Sequence, residues 1–403
     1  MRDTTIMSDY TIQHEKLAQA IAILREKDVD CWITFVRETA HNADPALALI
    51  LGLDVTWQSA FIVTRTGQKL AIVGRYDVEN IERMGAYDEV IGYDASIAPG
   101  LVDTLEKLAP KAIALNYSES DSSADGLSHG MYLRLAGYLE GKPYRLISAE
   151  GILNALRGRK SSTEIKRIRE AVTLTKSIID SVTGFLKPGL SEVDIAEHIR
   201  GEFQKHAVEP AWHPEYCPIV NCGPESPVGH TGPSEKFIAQ PGHLIHIDLG
   251  VVLNDYVSDI QRVWYLQPKG ESSLPETIEK AFAAVTGAID AAARVLRPGI
   301  RGWEVDAVAR NHIVEAGYPE YQHALGHHIG RTVHDGATLL GPQWDRYGTT
   351  PEGIVEPGNI FTLELGVAVP GHGTVSLEED VLVTETGLEW LIPPQRAPII
   401  VNA

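Results

Sequence analysis

Cysteine is scarce in this chain, and the little there is forms no pattern. Cys31, Cys217 and Cys222 are the three cysteines among 403 residues. An odd number excludes a fully paired disulfide framework, and the spacing matches no metal knuckle, so a reducing cytoplasm is the expected setting. Long apolar runs are also missing. The most apolar stretch, Ala46 to Leu53, falls far short of the ~20 residues a membrane-crossing helix requires. The opening segment, Met1-Arg2-Asp3-Thr4-Thr5-Ile6-Met7-Ser8-Asp9-Tyr10, has no apolar h-region, and no secretory leader is expected. Positive charge is in deficit, with 35 Lys and Arg against 54 Asp and Glu and a net charge of −19. That balance argues against nucleic acid or an anionic membrane as a partner.

What is present is ordinary globular material, 44% hydrophobic and 22% charged, in a chain long enough for two or three domains with real cores. From about residue 13 to 155, helix-like and strand-like segments alternate. Leu17, Ile21 and Leu24 have helical spacing before the strand-like Cys31-Trp32-Ile33-Thr34-Phe35-Val36. Phe61-Ile62-Val63 and Leu70-Ala71-Ile72-Val73 flank Arg65-Thr66-Gly67-Gln68, a hairpin signal. The alternation continues through Val90-Ile91-Gly92-Tyr93, a helix over 101–109 and Ala112-Ile113-Ala114-Leu115. The pattern predicts an α/β domain with a mixed sheet. It contains no phosphate-binding glycine loop and no catalytic constellation, so packing or oligomerisation is its expected role. The boundary falls in Leu156-Arg157-Gly158-Arg159-Lys160, which gives domains of 1–156 and 157–403. Ser161-x-x-Glu164 follows as a capping box and opens a long helix through about Phe185.

The second domain repeats itself. Leu186-Lys187-Pro188-Gly189-Leu190 with Glu192-Val193-Asp194 recurs as Leu296-Arg297-Pro298-Gly299-Ile300 with Glu304-Val305-Asp306. In each copy a long helix precedes the Pro-Gly turn, a second helix follows, and a carboxylate-bearing hairpin comes later. Two helices plus a hairpin, used twice, predict an α+β domain with pseudo-two-fold symmetry. The two hairpins are expected to face each other across a shared centre.

Asp248 and Asp259 flank a segment whose midpoint lies between Leu253 and Asn254, and Glu364 and Glu378 flank one centred on Gly371. If each is a hairpin, each pair is directly opposed, with Cβ atoms roughly 4.5–5.5 Å apart. A lone strand acid is usually just solvated. These four sit in apolar surroundings (Leu244-Ile245-His246-Ile247, Phe361-Thr362-Leu363, Val381-Leu382-Val383), where buried carboxylates cannot stay ionised without cations. Two divalent ions would offset the charge and could share an activated water. Carboxylates with one imidazole suit manganese, zinc, cobalt or iron. The imidazole is expected from Gln322-His323-Ala324-Leu325-Gly326-His327-His328-Ile329-Gly330-Arg331-Thr332-Val333-His334-Asp335-Gly336, with His327 the candidate ligand and His328 a bystander. His230, in Gly229-His230-Thr231-Gly232-Pro233, reads equally as a loop residue.

In order along the chain, Asp248-Leu-Gly, Ser258-Asp259-Ile260, Gly326-His327-x-x-Gly330, Thr362-x-Glu364 and Glu378-x-Asp380-Val381-Leu382-Val383-Thr384 form a specific set. With Arg157-x-x-Lys160-Ser161-x-x-Glu164-Ile165 ahead of them, they resemble the pita-bread metallopeptidases over nearly the whole chain. The closer likeness is to the Xaa-Pro branch (Xaa-Pro dipeptidase, or prolidase, and aminopeptidase P). The preceding segment resembles that branch's creatinase-type amino-terminal domain, which methionine aminopeptidases usually lack. The resemblance implies an α+β pita-bread catalytic domain and a cytoplasmic homodimer that cleaves short proline-containing peptides. It implies two divalent metal ions per subunit, manganese first and zinc or cobalt as alternatives, held by Asp248, Asp259, His327, Glu364 and Glu378. It implies catalytic roles for Glu364, His334, His230 and His323, with Tyr216, His230, His323 and His334 binding substrate. Aminopeptidase P action on longer peptides is the alternative, and a non-catalytic binding protein on the same fold is the alternative of another class. Two departures stand out. After Glu364, where the family usually has Pro-Gly and then Tyr, the chain reads Leu365-Gly366-Val367-Ala368, and Ser376 stands where Arg usually precedes Glu378.

Overall fold

The first helix of the computed structural model, α1 (Thr11–Glu26), turns Ile12, Leu17, Ala20, Ile23 and Leu24 to a buried face. Residues 9–229 and 231–403 are described; the leader expectation at Met1–Ser8 and the candidate His230 lie outside them. The chain continues with β1 (Cys31–Val36), the single turn α2 (Leu47–Ile50), β2 (Ser59–Thr64), β3 (Lys69–Gly74) and α3 (Val78–Met84). After these come β4 (Glu89–Tyr93), α4 (Ala98–Leu108), β5 (Ala112–Leu115), α5 (His129–Tyr138), β6 (Arg145–Ser148) and α6 (Glu150–Gly158). The sheet runs β4-β3-β2-β1-β5-β6. It is mixed: β2 pairs antiparallel with both β1 and β3, and the other neighbours are parallel. Helices on both faces explain why β1 is buried throughout and apolar at every position but Thr34. Trp32 and Val36 enter one core, and Cys31, Ile33 and Phe35 enter the other. This compact unit extends to Arg157, and a second one begins at Gly158.

The second unit opens on α7 (Ser162–Phe185). Ser161 N–H donates to Glu164 Oε2 at 2.7 Å and Glu164 N–H to Ser161 Oγ at 3.3 Å, the reciprocal cap that the sequence predicts. Next come α8 (Glu192–His206), β7 (Glu209–Pro210), β8 (Ile219–Cys222), β9 (Leu244–Leu249), β10 (Val251–Leu253), β11 (Tyr256–Val257) and β12 (Ile260–Gln267). The second copy supplies α9 (Glu276–Val295), α10 (Gly302–Glu315), β13 (Ile360–Val369) and β14 (Gly373–Val383), and β15 (Leu388–Trp390) and β16 (Ile399–Asn402) complete the chain. The repeat holds down to single hydrogen bonds. Gly189 and Gly299 share a φ of +91° and donate to Ala239 O at 2.8 Å and Val355 O at 2.9 Å. Two residues on, Ser191 N–H donates to Asp194 Oδ2 and Arg301 N–H to Glu304 Oε2, each starting the second helix.

The two hairpins lie side by side, which corrects the expectation that they face each other. They merge into one sheet of order β13-β14-β12-β9-β8, with β15 on β14 and β16 on β12. β12 meets β14 at Gln261↔Glu378, and from Trp264 onward it pairs with β16. On β13 and β14, Leu363, Leu365, Val367, Val375 and Leu377 share a core with Val285, Ala288, Ile289 and Ala292 of α9. Strand alternation therefore sends Glu364, Ser376 and Glu378 to the opposite face.

Candidate metal centre

The second carboxylate pair is placed as its spacing predicts. Glu364 is the partner of Glu378 in the β13–β14 ladder. The first pair is not. Asn254 and Asp255, at φ +51° and +68°, form a two-residue turn, so the hairpin midpoint falls between them and not before Asn254. Asp248 is therefore opposite Gln261, and Leu249 is opposite Ile260. Nor does Asp259 lie in a strand: Ser258 and Asp259 form a break between β11 and β12. The break is anchored where Ser258 Oγ accepts from Val251 N–H at 3.1 Å and meets Thr175 Oγ1 at 2.7 Å. Asp259 stays on the same side as Gln261, two residues back, and is diagonal to Asp248.

His327 is carried to the carboxylates along β13. Glu364 N–H donates to Leu325 O at 2.7 Å, Thr362 N–H to His327 O at 2.9 Å, and His327 N–H to Thr362 Oγ1 at 3.2 Å. The approach is so close that a Cβ on Gly326 would strike the Thr362 carbonyl, and one on Gly330 would strike the Asp335 carboxylate. His327 Nε2 lies 3.5 Å from Glu364 Oε1, 3.9 Å from Asp259 Oδ2 and 3.9 Å from Glu378 Oε1. One donor atom each of Asp259, His327 and Glu378 falls within 4.8 Å of the others. His327 Nδ1 faces the His328 carbonyl at 3.4 Å, which favours a proton there and leaves the Nε2 lone pair toward the carboxylates.

The charge arrangement calls for cations. Burial, reinforced by the charge of Glu364, pushes the Asp248 carboxyl up to about 8. Burial and the surrounding carboxylates hold Asp259 and Glu378 well above the usual range. Burial acts on Glu364 in the same direction, but hydrogen bonding to His327 and the charges of His327, His323 and His334 outweigh it and bring it below its ordinary value. Asp248 Oδ1 and Asp259 Oδ1 are buried with no hydrogen-bond donor among the described residues. Hard carboxylate oxygens left in this state, beside a ring nitrogen with a free lone pair, fit divalent metal ions.

The other candidates fall around this cluster. His323 and His334 are both exposed, and both act electrostatically on Glu364. The His323 Nδ1 donates to Ala324 O at 2.7 Å, and the His323 carbonyl accepts from Arg310 at 2.8 Å. The His334 ring stands edge-on to His327 with centroids 4.4 Å apart. His328 packs on Phe361 with ring centroids 4.1 Å apart, a core position. Tyr216 is 39% exposed beside His213, in the loop entering β8, whose Ile219 pairs with Asp248. Ala368 is exposed, and Ser376 is buried. The motifs passed over two buried polar residues that share this face, His246 and Gln261. Their signal was strand parity, because His246 precedes Asp248 by two residues and Gln261 follows Asp259 by two.

The chain is similar to known peptidases in sequence and in fold. The uncharacterized peptidase YqhT of Bacillus subtilis is 27% identical over 332 residues, covering 82% of this chain and 86% of that protein. Among solved structures, an Xaa-Pro dipeptidase from Bacillus anthracis superimposes with a TM-score of 0.72 at 22% identity, covering 96% of this chain and 99% of that one. An X-Pro aminopeptidase from Thermotoga maritima gives a TM-score of 0.69 at 23% identity, covering 96% and 99%. The likeness to both establishes the shared two-part fold. The model of metallopeptidase family M24 matches residues 166–385, more than half of the sequence, and the chain belongs to that family.

Proposed function

We propose that this peptidase hydrolyses the Xaa-Pro bond of dipeptides at a two-metal centre held by Asp248, Asp259, His327, Glu364 and Glu378. The observation that carries the reading is the buried carboxylate cluster with unsatisfied Asp248 Oδ1 and Asp259 Oδ1, met by His327 Nε2. Its fold is shared with proteins described as an Xaa-Pro dipeptidase and an X-Pro aminopeptidase. Divalent ions bound there supply Lewis-acid chemistry, activating water and polarising the scissile carbonyl.

The chain's own residues complete the reaction. A tertiary amide before proline offers no N–H for a strand-gripping cleft, so recognition falls to its carbonyl and to the free amino end. That amino end sits beside Asp248. Glu364, kept ionised by its histidine neighbours, takes a proton from the attacking water and delivers it to the departing ring nitrogen. His334 donates to the oxyanion, a role shared with His230, and His323 orients the substrate. Among the described residues no helix is long and apolar enough to cross a membrane. All three cysteines are buried free thiols, which supports a reducing cytoplasm as the setting.

Metal analysis with a peptide panel tests the reading. Gly-Pro, Ala-Pro and a longer Xaa-Pro peptide are to be assayed with manganese, zinc and cobalt in turn. Cleavage of the dipeptides in preference to the longer peptide is expected. Preference for the longer peptide would make it an aminopeptidase P, and neither metal uptake nor cleavage would leave a binding protein on this fold.

A further inference from the structure

The residue two before Glu378 is Ser376, where the resemblance leads one to expect arginine, so the paired glutamates need donors from elsewhere. They come from the neighbouring strand. Gln261 Nε2 donates to Glu364 Oε2 at 3.1 Å and to Glu378 Oε2 at 3.0 Å, one amide hydrogen to each carboxylate. The other end of the same amide is held twice. Gln261 Oε1 accepts from Ser376 Oγ at 2.7 Å and lies 2.9 Å from His246 Nε2. His246 Nδ1 lies 2.9 Å from Asn221 Oδ1, so the neutral ring, with its one N–H, donates to one of these two amide oxygens and stays in contact with the other. All four of these supporting residues are buried. Rotating the amide would set its oxygen against two carboxylates, so the orientation shown is the one its neighbours enforce.

We propose that Gln261 is the positioning residue of the metal centre, its amide spanning Glu364 and Glu378 in place of the arginine, and that Ser376 and His246 exist to aim it. The proposal rests on the two-metal reading above. A guanidinium presents two parallel N–H groups to carboxylates, and the amide nitrogen presents two as well. The amide is neutral, however, so the full charge of the carboxylates remains for the cations. Ser376 is thus part of a coordinated exchange, because the shorter side chain leaves room for the amide and supplies the hydroxyl that orients it. A carboxylate held by such an outer partner presents its remaining oxygen in a fixed direction, and losing the partner typically costs about 10–100-fold in metal affinity.

The test is calorimetric titration of chelator-treated protein with Mn²⁺, with bound metal counted independently, for the natural chain and for Gln261→Met, Gln261→Glu and Ser376→Ala. Gln261→Met keeps the length and removes both donors; it is expected to weaken Mn²⁺ binding about 10–100-fold. Gln261→Glu adds a fifth carboxylate to the cluster and is expected to weaken it further. Ser376→Ala removes one of two contacts aiming the amide and is expected to cost less than either. With metal saturating, kcat for Ala-Pro is expected to fall in Gln261→Met while KM stays within about twofold, the sign of a misaimed proton carrier and not of a lost binding contact. Unfolding of each metal-free variant shows that the comparison is made on folded protein. If the natural chain takes up no metal, the two-metal reading itself is wrong. Should it load normally while Gln261→Met and Gln261→Glu bind Mn²⁺ as tightly, the proposal for Gln261 fails and the metal centre stands.

Discussion

Asp248 stands opposite Gln261 across the β9–β12 ladder, and Asp259 meets it diagonally from the break before β12. The carboxylates are thus gathered on one face with no lysine or arginine paired to them among the described residues, and in metal-free protein burial favours the protonated forms of Asp248, Asp259 and Glu378 instead. Asp248, raised to about 8 chiefly by burial and then by Glu364, has an ordinary value of about 3.9 once unfolded. The folded state therefore binds more protons than the unfolded state between those limits. Its contribution to stability is complete below about pH 4 and disappears as pH rises through about 8. Asp259 and Glu378 act with the same sign. Thermal unfolding of chelator-treated protein is expected to fall in midpoint from pH 5 to pH 8. Divalent cations should raise the midpoint more at pH 8 than at pH 5, since binding displaces protons. A metal-free midpoint that climbs over this range would contradict the charge assignment.

Glu364 is the exception in sign, because His327 and its histidine neighbours overcome burial and keep it ionised. An ionised group that is partly exposed and 3.5 Å from the ring nitrogen of His327 suits proton transfer. Glu364→Gln keeps the shape and removes the base. Its kcat is expected to fall by about 10²–10⁴-fold, with weaker metal loading. Near-normal turnover in that variant would move the proton carrier elsewhere.

Much of this was legible in the sequence. The mixed sheet, the capping box at Ser161, the Pro-Gly repeat and the register of Glu364 with Glu378 all follow from local patterns that tertiary packing does not override. The register of Asp248 was not legible, because a two-residue turn at Asn254-Asp255 and one at Leu253-Asn254 leave the same apolar alternation. The difference lies in which residues take positive φ, and only the folded hairpin decides it. Gln261 was missed for a related reason. Its role depends on β12 and β14 meeting at a single registered pair, which brings together residues more than a hundred positions apart.

Gly326 tests how His327 is delivered. The backbone of Leu325 and His327 is bonded to β13, and a methyl group at residue 326 would collide with the Thr362 carbonyl. Gly326→Ala must push this segment away from Glu364. Overpacking of this kind costs about 1–3 kcal/mol. Urea unfolding is expected to show that loss, and Mn²⁺ titration is expected to show weaker binding as well. A variant that is destabilised yet binds Mn²⁺ with natural affinity would show that His327 does not depend on this approach.

Lys160 secures the other end of the histidine segment. Its ammonium is fully buried, 2.6 Å from Asp335 Oδ2, next to His334. Asp335 N–H donates to His328 O at 2.9 Å, so the pair closes the turn that begins after His327 and carries His334. Desolvating two charges is expensive, and the pair need not be worth much beyond an apolar replacement. Breaking it is another matter, because the remaining charge stays buried. Lys160→Met is therefore expected to destabilise the protein by about 3–5 kcal/mol in urea unfolding. The double variant Lys160→Met with Asp335→Leu is expected to recover most of that loss. If His334 serves the oxyanion, the double variant remains impaired in kcat despite its regained stability, since the turn has lost the carboxylate that fixed its shape. Recovery of stability and kcat together would show that the ion pair supports the fold alone and leaves His334 to be positioned by its edge-on contact with His327.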